Sequence, residues 1–327
     1  MSGFSKEVLA IDAAAETNRI AAALRQQLRA LRKRGLVLGL SGGVDSSVNL
    51  ALAVAAVGRD RVRGLLMPEA ESDPESLMLG RLVAETYGVA YEIEDIAPAL
   101  AALGCYRRRD AAIRRVVPEY GPGWGFKLAI ADVLGETTGY AISTLVVEDH
   151  GGRQSRHRMT PETYLAIVAA TSMKQRTRKQ IEFYHADRLN YAVLGTPNRL
   201  EYDQGFFVKN GDGAADVKPI AHLYKSQVYA LAEHLSVPPA IRRRPPTTDT
   251  FPLAQTQEEF YFSLPYERMD LCLYAFNHCV AAAEVASATG LSEAEVSKVY
   301  ADIAAKRRAT RPLHMAPLLV APVEGVD

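Results

Sequence analysis

One short segment of the sequence is rich in the small and hydroxylated residues that bind phosphate groups. It consists of Ser41-Gly42-Gly43-Val44-Asp45-Ser46-Ser47. The two glycines permit backbone angles and close approaches that residues with a side chain resist. The three serine hydroxyls can donate hydrogen bonds to phosphate oxygens. The segment is neither a Walker loop, because the lysine of GxxxxGK[ST] is absent, nor a GxGxxG fingerprint.

Regular structure is expected on both sides of this segment. Leu36 to Leu40 form an apolar run typical of a short buried strand, and Ser46 to Val57 form an apolar, Ala-rich run typical of a buried helix. A glycine-rich turn from a strand into a helix directs backbone N–H groups and the positive end of the helix dipole at a ligand. The segment therefore predicts an anion-binding site.

The rest of the chain alternates between expected strands and helices. This order predicts an α/β fold with a doubly wound, mostly parallel sheet and a helical periphery. Further strands are expected at 63–67, 90–96 and 191–194, and further helices at 5–33, from the Asp73-Pro74-Glu75 signal to Tyr87, at 172–189 and at 225–235. Two β-rich runs, 126–133 and 140–147, predict an inserted hairpin. We expect one domain over 1–327, with an insert at about 104–158 and a helical C-terminal part at about 267–312.

Composition excludes several classes of protein. Of the 327 residues 48% are hydrophobic, enough for a full-sized core, and 38 basic side chains balance 38 acidic ones. This balance argues against the global basic field of a nucleic-acid-binding protein. The sequence contains neither a membrane-spanning apolar run nor a secretion signal, and its three cysteines are too few for a disulfide framework. We therefore expect a cytoplasmic protein that binds neither membrane nor nucleic acid.

The seven residues of the first segment resemble the SGGxDS[ST] signature of the PP-loop ATP pyrophosphatases. The resemblance implies that they hold the β and γ phosphates of ATP as a leaving group while AMP passes to an oxygen of the substrate. It assigns to the ATP site Ser41, Gly42, Gly43, Asp45, Ser46 and Ser47. It also makes Asp45 a Mg²⁺ ligand and a catalytic residue. That role is physically apt, because an acidic side chain beside a triphosphate is repelled unless a hard cation bridges them.

A second set of motifs narrows the family. It comprises Gly195-Thr196-Pro197-Asn198-Arg199-Leu200-Glu201, the run Gly205-Phe206-Phe207-Val208-Lys209-Asn210-Gly211-Asp212-Gly213-Ala214-Ala215-Asp216, and Leu223-Tyr224-Lys225-Ser226-Gln227-Val228. With the first segment, these runs resemble the ammonia-dependent NAD synthase family over roughly residues 5–100 and 170–312. The resemblance implies the adenine nucleotide α-hydrolase-like, Rossmann-like form of the α/β fold.

The same resemblance implies roles for single residues. Glu201 becomes the second carboxylate on Mg²⁺, and Lys225 a catalytic residue on the triphosphate. Thr196 and Thr247 become ATP contacts. The residues implied to bind the dinucleotide substrate are Arg176, Lys209 and Asp216.

The implied reaction has two steps and consumes ATP as a co-substrate. The nicotinate carboxylate of deamido-NAD attacks the α-phosphorus of ATP, and ammonia then displaces AMP to form NAD. About 35 residues precede the first expected strand, so we expect no N-terminal glutaminase domain and a supply of free ammonia or of ammonia from a separate glutaminase. The family resemblance also implies a homodimer.

Two features depart from the family pattern and leave alternatives open. The C-terminal cluster Lys306-Arg307-Arg308 keeps basic charge without the family spacing, and the arginines at 107–109 and 114–115 of the insert suit either surface charge or a lid. These departures concern the acceptor rather than ATP. One alternative is therefore an amide ligase of the same lineage that acts on another carboxylic acid. The other alternative is a non-catalytic nucleotide-binding protein.

Overall fold

A four-stranded parallel sheet with the strand order β3-β2-β1-β7 forms the centre of the molecule. The computed structural model describes residues 4–129, 144–247 and 251–325. The strands of the central sheet are β1 Leu36–Gly39, β2 Val62–Leu66, β3 Tyr91–Ile93 and β7 Ala192–Val193. Three strands of a second, antiparallel sheet are β4 Gly125–Ala129, β5 Thr144–Glu148 and β6 Gln154–Arg158.

Helices cover both faces of the central sheet. Their bounds are α1 Ala13–Ala30, α2 Val44–Val57, α3 Pro74–Thr86, α4 Ala97–Ala102, α5 Cys105–Ile113, α6 Pro161–Leu189, α7 Arg199–Gln204, α8 Lys225–His234, α9 Pro239–Arg243, α10 Tyr266–Asn277, α11 Ala282–Thr289 and α12 Glu293–His314. Leu36 and Leu38 of β1 pack in the core with α1, α2 and α8, whereas Val37 packs in the core with α4, α5 and α6. This alternation is what a strand with both faces covered requires. The predicted doubly wound α/β fold is confirmed.

The strand order places a crevice beside β1. The chain builds β1, β2 and β3 outward in one direction and then returns to add β7 on the other side of β1. In open α/β sheets, ligands bind at the carboxyl ends of the strands where the order reverses in this way. The segment Ser41 to Ser47 leaves β1 at that point.

Two predicted helices have different bounds in the structure. The expected helix over 5–33 is a short 3₁₀ turn, Lys6–Leu9, followed by α1, because the Asp12 carboxylate caps α1 by accepting bonds from Ala14 N and Ala15 N at 3.0 Å. The helix expected from 172 begins at Pro161, where the Thr160 hydroxyl caps it. A threonine followed by proline is a strong helix start, and it lies eleven residues before the predicted one.

The insert contains more structure than the predicted hairpin. β4 and β5 pair antiparallel with Phe126 opposite Val147, as a hairpin requires, while 130–143, including the predicted turn and strand ends, lies outside the described residues. β6 then adds a third strand on β5. Its sequence, Gln-Ser-Arg-His-Arg, is almost wholly exposed and lacks apolar alternation, so the strand pattern could not reveal it.

The C-terminal helices α10, α11 and α12 form a separate core beside the sheet. Their buried side chains include Met269, Leu273, Val285, Val299 and Ile303. α12 extends to His314, two residues beyond the predicted end at about 312, with Pro312 inside its last turn. None of the helices in the described part of the chain is both long and apolar enough to cross a bilayer.

Buried ion pairs join the insert to the sheet. Arg109 of α5 is 5% exposed, contacts Glu71 and Asp110, and lies over the ring of Phe126. The interpretation of this arginine as surface charge is therefore wrong, although its neighbours Arg107 and Arg108 are exposed. Lys174 of α6 adds a second cation to Glu71 at 2.6 Å.

Replacing Arg109 by alanine is expected to destabilise the fold by about 3 kcal/mol, because Glu71 and Asp110 lose a buried countercharge. Arg108→Ala, one residue earlier and exposed, is the matched control and should change stability by less than about 0.5 kcal/mol. Urea unfolding of the three proteins measures both values. Equal losses in the two variants would contradict a structural role for Arg109.

Candidate functional site

The turn after β1 has the geometry of an anion site. Gly42 adopts a φ of +74°, and a Cβ atom there would lie 2.7 Å from the carbonyl oxygen of Ser76 on α3. Gly43 is the N-terminal cap of α2 and has no side-chain capping bond. The start of α2, with the positive end of its dipole, is therefore held at the carboxyl end of β1.

The three serines of the turn differ in accessibility. The Ser41 hydroxyl lies 3.2 Å from that of Ser46, and the hydroxyls of Ser46 and Ser47 donate to the Gly43 carbonyl at 3.0 and 2.8 Å. Ser41 and Ser46 line the cavities described below. Ser47 is fully buried. Its hydroxyl therefore stabilises the first turn of α2 from inside, and Gly42 serves the packing of α2 against α3.

A buried charge pair lies directly beyond the turn. Lys225, the first residue of α8, contacts the Asp45 carboxylate through its Nζ atom and is 2% exposed. Burial lowers the pKa of Lys225, but Asp45 and Glu201 outweigh that effect, so the pKa is raised and the side chain stays charged. A permanent cation thus lies at the start of α2, from a position 180 residues further along the chain.

Glu201 completes the cluster from the first turn of α7. Asn198 Nδ2 donates to Asp45 Oδ1 at 3.2 Å, and the Asn198 backbone N donates to Glu201 Oε2 at 3.1 Å, so one residue contacts both carboxylates. Gln257 Nε2 donates to Glu201 Oε1 at 3.0 Å. Burial, and then the negative charge of Asp45, raise the pKa of Glu201 to about 8. The single charge of Lys225 is therefore too little to keep Glu201 ionised beside Asp45 at neutral pH.

This donor set fits a hard divalent cation. Asp45 and Glu201 offer carboxylate oxygens, the ligands that Mg²⁺ prefers, and when both are ionised Lys225 supplies only one positive charge against two negative ones. A second acidic group elsewhere provides a contrast. Glu92, Glu94 and His185 lie close together, but the Arg188 guanidinium donates to Glu92 and to His185 and already supplies a cation there.

Asp270 of α10 fixes the start of α8. Its carboxylate accepts bonds from Lys225 N at 3.2 Å and Ser226 N at 2.7 Å, and its side chain is fully buried. Burial raises the pKa of Asp270 to about 6, because its bonds with Ser226 and Lys225 offset only part of the desolvation. Asp270 therefore positions Lys225 through the backbone.

Two connected cavities open at the charge cluster. The larger, of about 700 Å³, contains the charge cluster and an aromatic wall that includes Tyr164, Phe206, Phe251, Phe260 and Tyr261. The smaller, of about 160 Å³, lies at the carboxyl ends of β1 and β2. The residues common to both are Ser41, Ser46, Gln175, Thr196 and Asp212. An extended ligand could therefore occupy both cavities and cross the anion-binding turn between them.

Most of the predicted ATP and metal residues meet at the larger cavity. Those that line it are Ser41, Gly43, Asp45, Ser46, Thr196, Glu201, Lys225 and Thr247. The three predicted substrate residues line neither cavity. Arg176 is exposed and donates to Lys209 O at 3.3 Å, Lys209 donates to Pro312 O at 2.8 Å, and Asp216 accepts from Val193 N at 2.7 Å. These contacts tie the end of α12 and the edge of β7 to their neighbours.

The C-terminal basic cluster divides in two. Lys306 lines the larger cavity, donates to Tyr261 O at 2.6 Å and pairs with Asp302 at 2.7 Å. Arg307 instead pairs with Asp203 through two bonds of 2.6 Å. Of the three cations of the cluster, Lys306 therefore faces the cavity and Arg307 fastens α12 to α7.

Several cavity residues were missed by reasoning from the sequence, namely Gln175, Asp212, Arg244 and Gln257, whereas Lys306 belongs to the C-terminal basic cluster that was weighed for a substrate role. Asn198 was also missed, although it carried a signal. An asparagine three residues before a glutamate is the capping-box pattern, and it indicates a helix start at Asn198. The others reach the site through long-range packing and carry no local pattern.

Comparison with known proteins gives a consistent result. The family model described as NAD synthase matches residues 16–115 and 140–310. An NH₃-dependent NAD⁺ synthetase of Rhizobium meliloti is 69% identical over 324 residues, covering 99% of this chain and 97% of that protein. An NMN synthetase of Francisella tularensis has a TM-score of 0.66 at 20% identity, covering 95% of this chain and 99% of the other. An NH₃-dependent NAD synthetase of Campylobacter jejuni, solved with a nitrate ion, has a TM-score of 0.62 at 20% identity, with 95% and 100% covered. These two structures show the shared fold.

Replacing Asp270 by alanine is expected to destabilise the protein by about 2 kcal/mol, because two buried N–H groups lose a charged acceptor. The matched control is Asp95→Ala, which removes an exposed carboxylate that accepts from Ala97 N at 2.9 Å at the start of α4. The control should cost about 1 kcal/mol or less. Urea unfolding measures both, and equal losses would argue against a special role for Asp270.

Proposed function

This chain belongs to the NAD synthase family, and we propose that it is an ATP-dependent amide ligase that converts deamido-NAD and ammonia into NAD. The observation that carries the proposal is the meeting of Asp45, Glu201 and Lys225 at the turn after β1. Three charged residues from distant parts of the chain surround the start of α2, where a triphosphate would find backbone N–H groups and a lysine.

The proposed reaction has two steps on one carboxyl group. The nicotinate carboxylate of deamido-NAD attacks the α-phosphorus of ATP, the bond between the α and β phosphates breaks, and pyrophosphate leaves. Ammonia then attacks the acyl carbon, loses a proton and displaces AMP. Lys225 and the start of α2 stabilise the charge that develops on the pyrophosphate. The rest of the catalysis is the positioning of the reacting groups. Neither step needs a side-chain nucleophile.

We propose that Asp45 and Glu201 hold Mg²⁺ during the reaction. The raised pKa of Glu201 is consistent with this role, because burial and the charge of Asp45 outweigh the nearby charge of Lys225 and a bound cation would offset them. When bound, the ion would neutralise phosphate charge. Asn198 and Gln257 fix the orientation of the two carboxylates toward it.

The two cavities suggest how the nucleotide lies. The smaller, at the ends of β1 and β2, suits a single heterocyclic base, and the larger contains the groups that would meet the phosphates and the acceptor. Thr196 lines both and would contact the nucleotide between them. Thr247 forms a bridge with Thr256 on the far wall and would close the ATP site there.

The acceptor is assigned to deamido-NAD rather than another acid. The 69% identity to an NH₃-dependent NAD⁺ synthetase over nearly the whole of both chains supports this choice. A non-catalytic nucleotide-binding protein would have no need to keep all three charged residues of the cluster. The likeness to an NMN synthetase, at 20% identity, extends to the fold alone.

Assembly and ammonia supply complete the proposal. We propose a homodimer, as the resemblance to the family implies. The chain is proposed to act as one domain in the cytoplasm, where ATP is available. Its ammonia would arrive free or from a separate glutaminase.

The central test incubates the purified protein with ATP, Mg²⁺, an ammonium salt and deamido-NAD. We expect NAD, AMP and pyrophosphate in equal amounts. Lys225→Met should lower the rate by about 100-fold or more, because the leaving pyrophosphate loses a buried cation. Lys225→Arg, which keeps the charge, is the control and should retain more activity. AMP release that depends on another acid, without NAD, would refute the proposed acceptor.

The metal assignment has its own test. Glu201→Gln keeps the shape of the side chain and removes its charge, so Mn²⁺, used as a paramagnetic probe in place of Mg²⁺, should bind at least about tenfold more weakly. Electron paramagnetic resonance with ATP present measures the binding. Glu284→Gln on the surface of α11 is the control. Unchanged Mn²⁺ binding in Glu201→Gln would remove Glu201 from the metal site.

A further inference from the structure

Two oppositely charged side chains form part of the wall of the smaller cavity. Lys179 and Glu182 lie one turn apart on α6, with Lys179 Nζ 2.5 Å from Glu182 Oε2. They are only 5% and 7% exposed. Much of the rest of that wall is apolar, with Leu40, Leu66 and Leu194 among its residues. Neither residue belongs to the charge cluster at Asp45.

The carboxylate of Glu182 covers the end of β1. A Cβ atom on Gly39 would lie 3.0 Å from Glu182 Oε1, so this oxygen lies directly over the strand end. Oε2 accepts the bond from Lys179. Within 4–129, 144–247 and 251–325, no residue donates a hydrogen bond to Oε1. One carboxylate oxygen is therefore available to a ligand in the cavity.

The backbone acceptors nearby are already engaged. The carbonyl oxygens of Leu65 and Leu66 accept from Leu40 N at 2.8 Å and Glu94 N at 2.9 Å. The Met67 carbonyl accepts from Arg178 Nε at 3.3 Å, and the Pro68 carbonyl from Ile96 N at 3.0 Å. Each of these carbonyl oxygens therefore already accepts one bond, whereas Glu182 Oε1 accepts none from the described residues and is less committed than they are toward a ligand amino group that enters at the end of β2.

Stability alone does not explain a buried pair at this position. Removing two charges from water costs energy that their attraction repays only with good geometry and further bonds, and well-packed apolar residues often serve as well or better. Here a small cavity adjoins the pair, and both residues have bonding capacity left over, since an ammonium group has three donors. A ligand that bonds to both would use that capacity.

Resting on the proposed function, we propose that Lys179 and Glu182 determine the base specificity of the enzyme. Glu182 accepts a hydrogen bond from the exocyclic amino group of adenine, and Lys179 donates one to a ring nitrogen. A base with a carbonyl oxygen at the same position would direct a lone pair at the carboxylate and be rejected. Sites built to bond a specific donor discriminate strongly, because the buried partner is otherwise left unpaired.

The test measures nucleotide binding by calorimetry with Mg²⁺ present and no acceptor. Three probes are used, namely ATP, purine riboside triphosphate, which lacks the amino group, and ITP, which carries a carbonyl in its place. The wild type should bind ATP at least about tenfold more tightly than either analogue. In the double variant Lys179→Met with Glu182→Met, the three affinities should lie within about threefold of one another, because the acceptor is gone.

Glu182→Gln gives a second measurement and retains the shape of the side chain. Its amide can donate to the carbonyl of ITP, so ITP should gain affinity relative to ATP, a shift that a purely structural role would not produce. The control double variant, Glu16→Met with Arg19→Met, removes an exposed ion pair of the same spacing on α1. It should keep the wild-type preference.

The outcomes separate this inference from the proposed function. If the wild type makes NAD but Glu182→Gln and the double variant keep the wild-type order of nucleotides, the base assignment is wrong and the ligase proposal stands. A wild type without preference among the three nucleotides also overturns the assignment. If the wild type makes no NAD, the binding ratios still decide the role of the pair, because they need no acceptor.

Discussion

The buried contact between Lys225 and Asp45 is the constraint on which the rest of the site depends. A lysine this deeply buried stays charged only because carboxylates adjoin it, and those carboxylates are tolerable only because the lysine is there. The pair therefore requires that α2 and α8 start at the same place. Asp270 of α10 binds the start of α8, and Asn198, in the loop before α7, binds Asp45 at the start of α2. The contact between Lys225 and Asp45 thus connects α2, α8, α10 and this loop.

The topology of the sheet explains how residues from distant parts of the chain meet at this site. With β7 added on the side of β1 opposite to β2, the loops after β1 and β7 leave from adjacent strand ends. Polar groups from both loops then meet above the carboxyl ends of the strands. The same reversal of order opens a crevice, and the cavities occupy it.

The sequence predicted the parts of the site that are local and failed where packing decides. The turn from Ser41 to Ser47 lies where a strand and a helix were expected, and Asp45, Glu201 and Lys225 meet as the resemblance implied. Within that turn, spacing could not tell which hydroxyls reach the cavities, since Ser47 is buried and donates to Gly43 O, whereas Ser41 lines both cavities. Nor could it show that Arg176, Lys209 and Asp216 are occupied by contacts outside the cavities. These facts depend on how whole helices pack.

Helix α6 begins eleven residues before its predicted start, the largest error in a helix boundary, and it also connects the insert to the site. Its buried face carries Lys174, Lys179, Glu182 and His185, so the apolar periodicity by which most helices are recognised in a sequence is absent there. These charged side chains make different contacts along the length of α6. Lys174 binds Glu69 and Glu71 in the loop after β2, and one turn later the helix faces the smaller cavity. Because Arg109 of the insert binds Glu71 as well, the insert, the loop after β2 and the wall of the smaller cavity share one rigid element. The insert and α6 therefore hold the loop after β2 between them through Glu71.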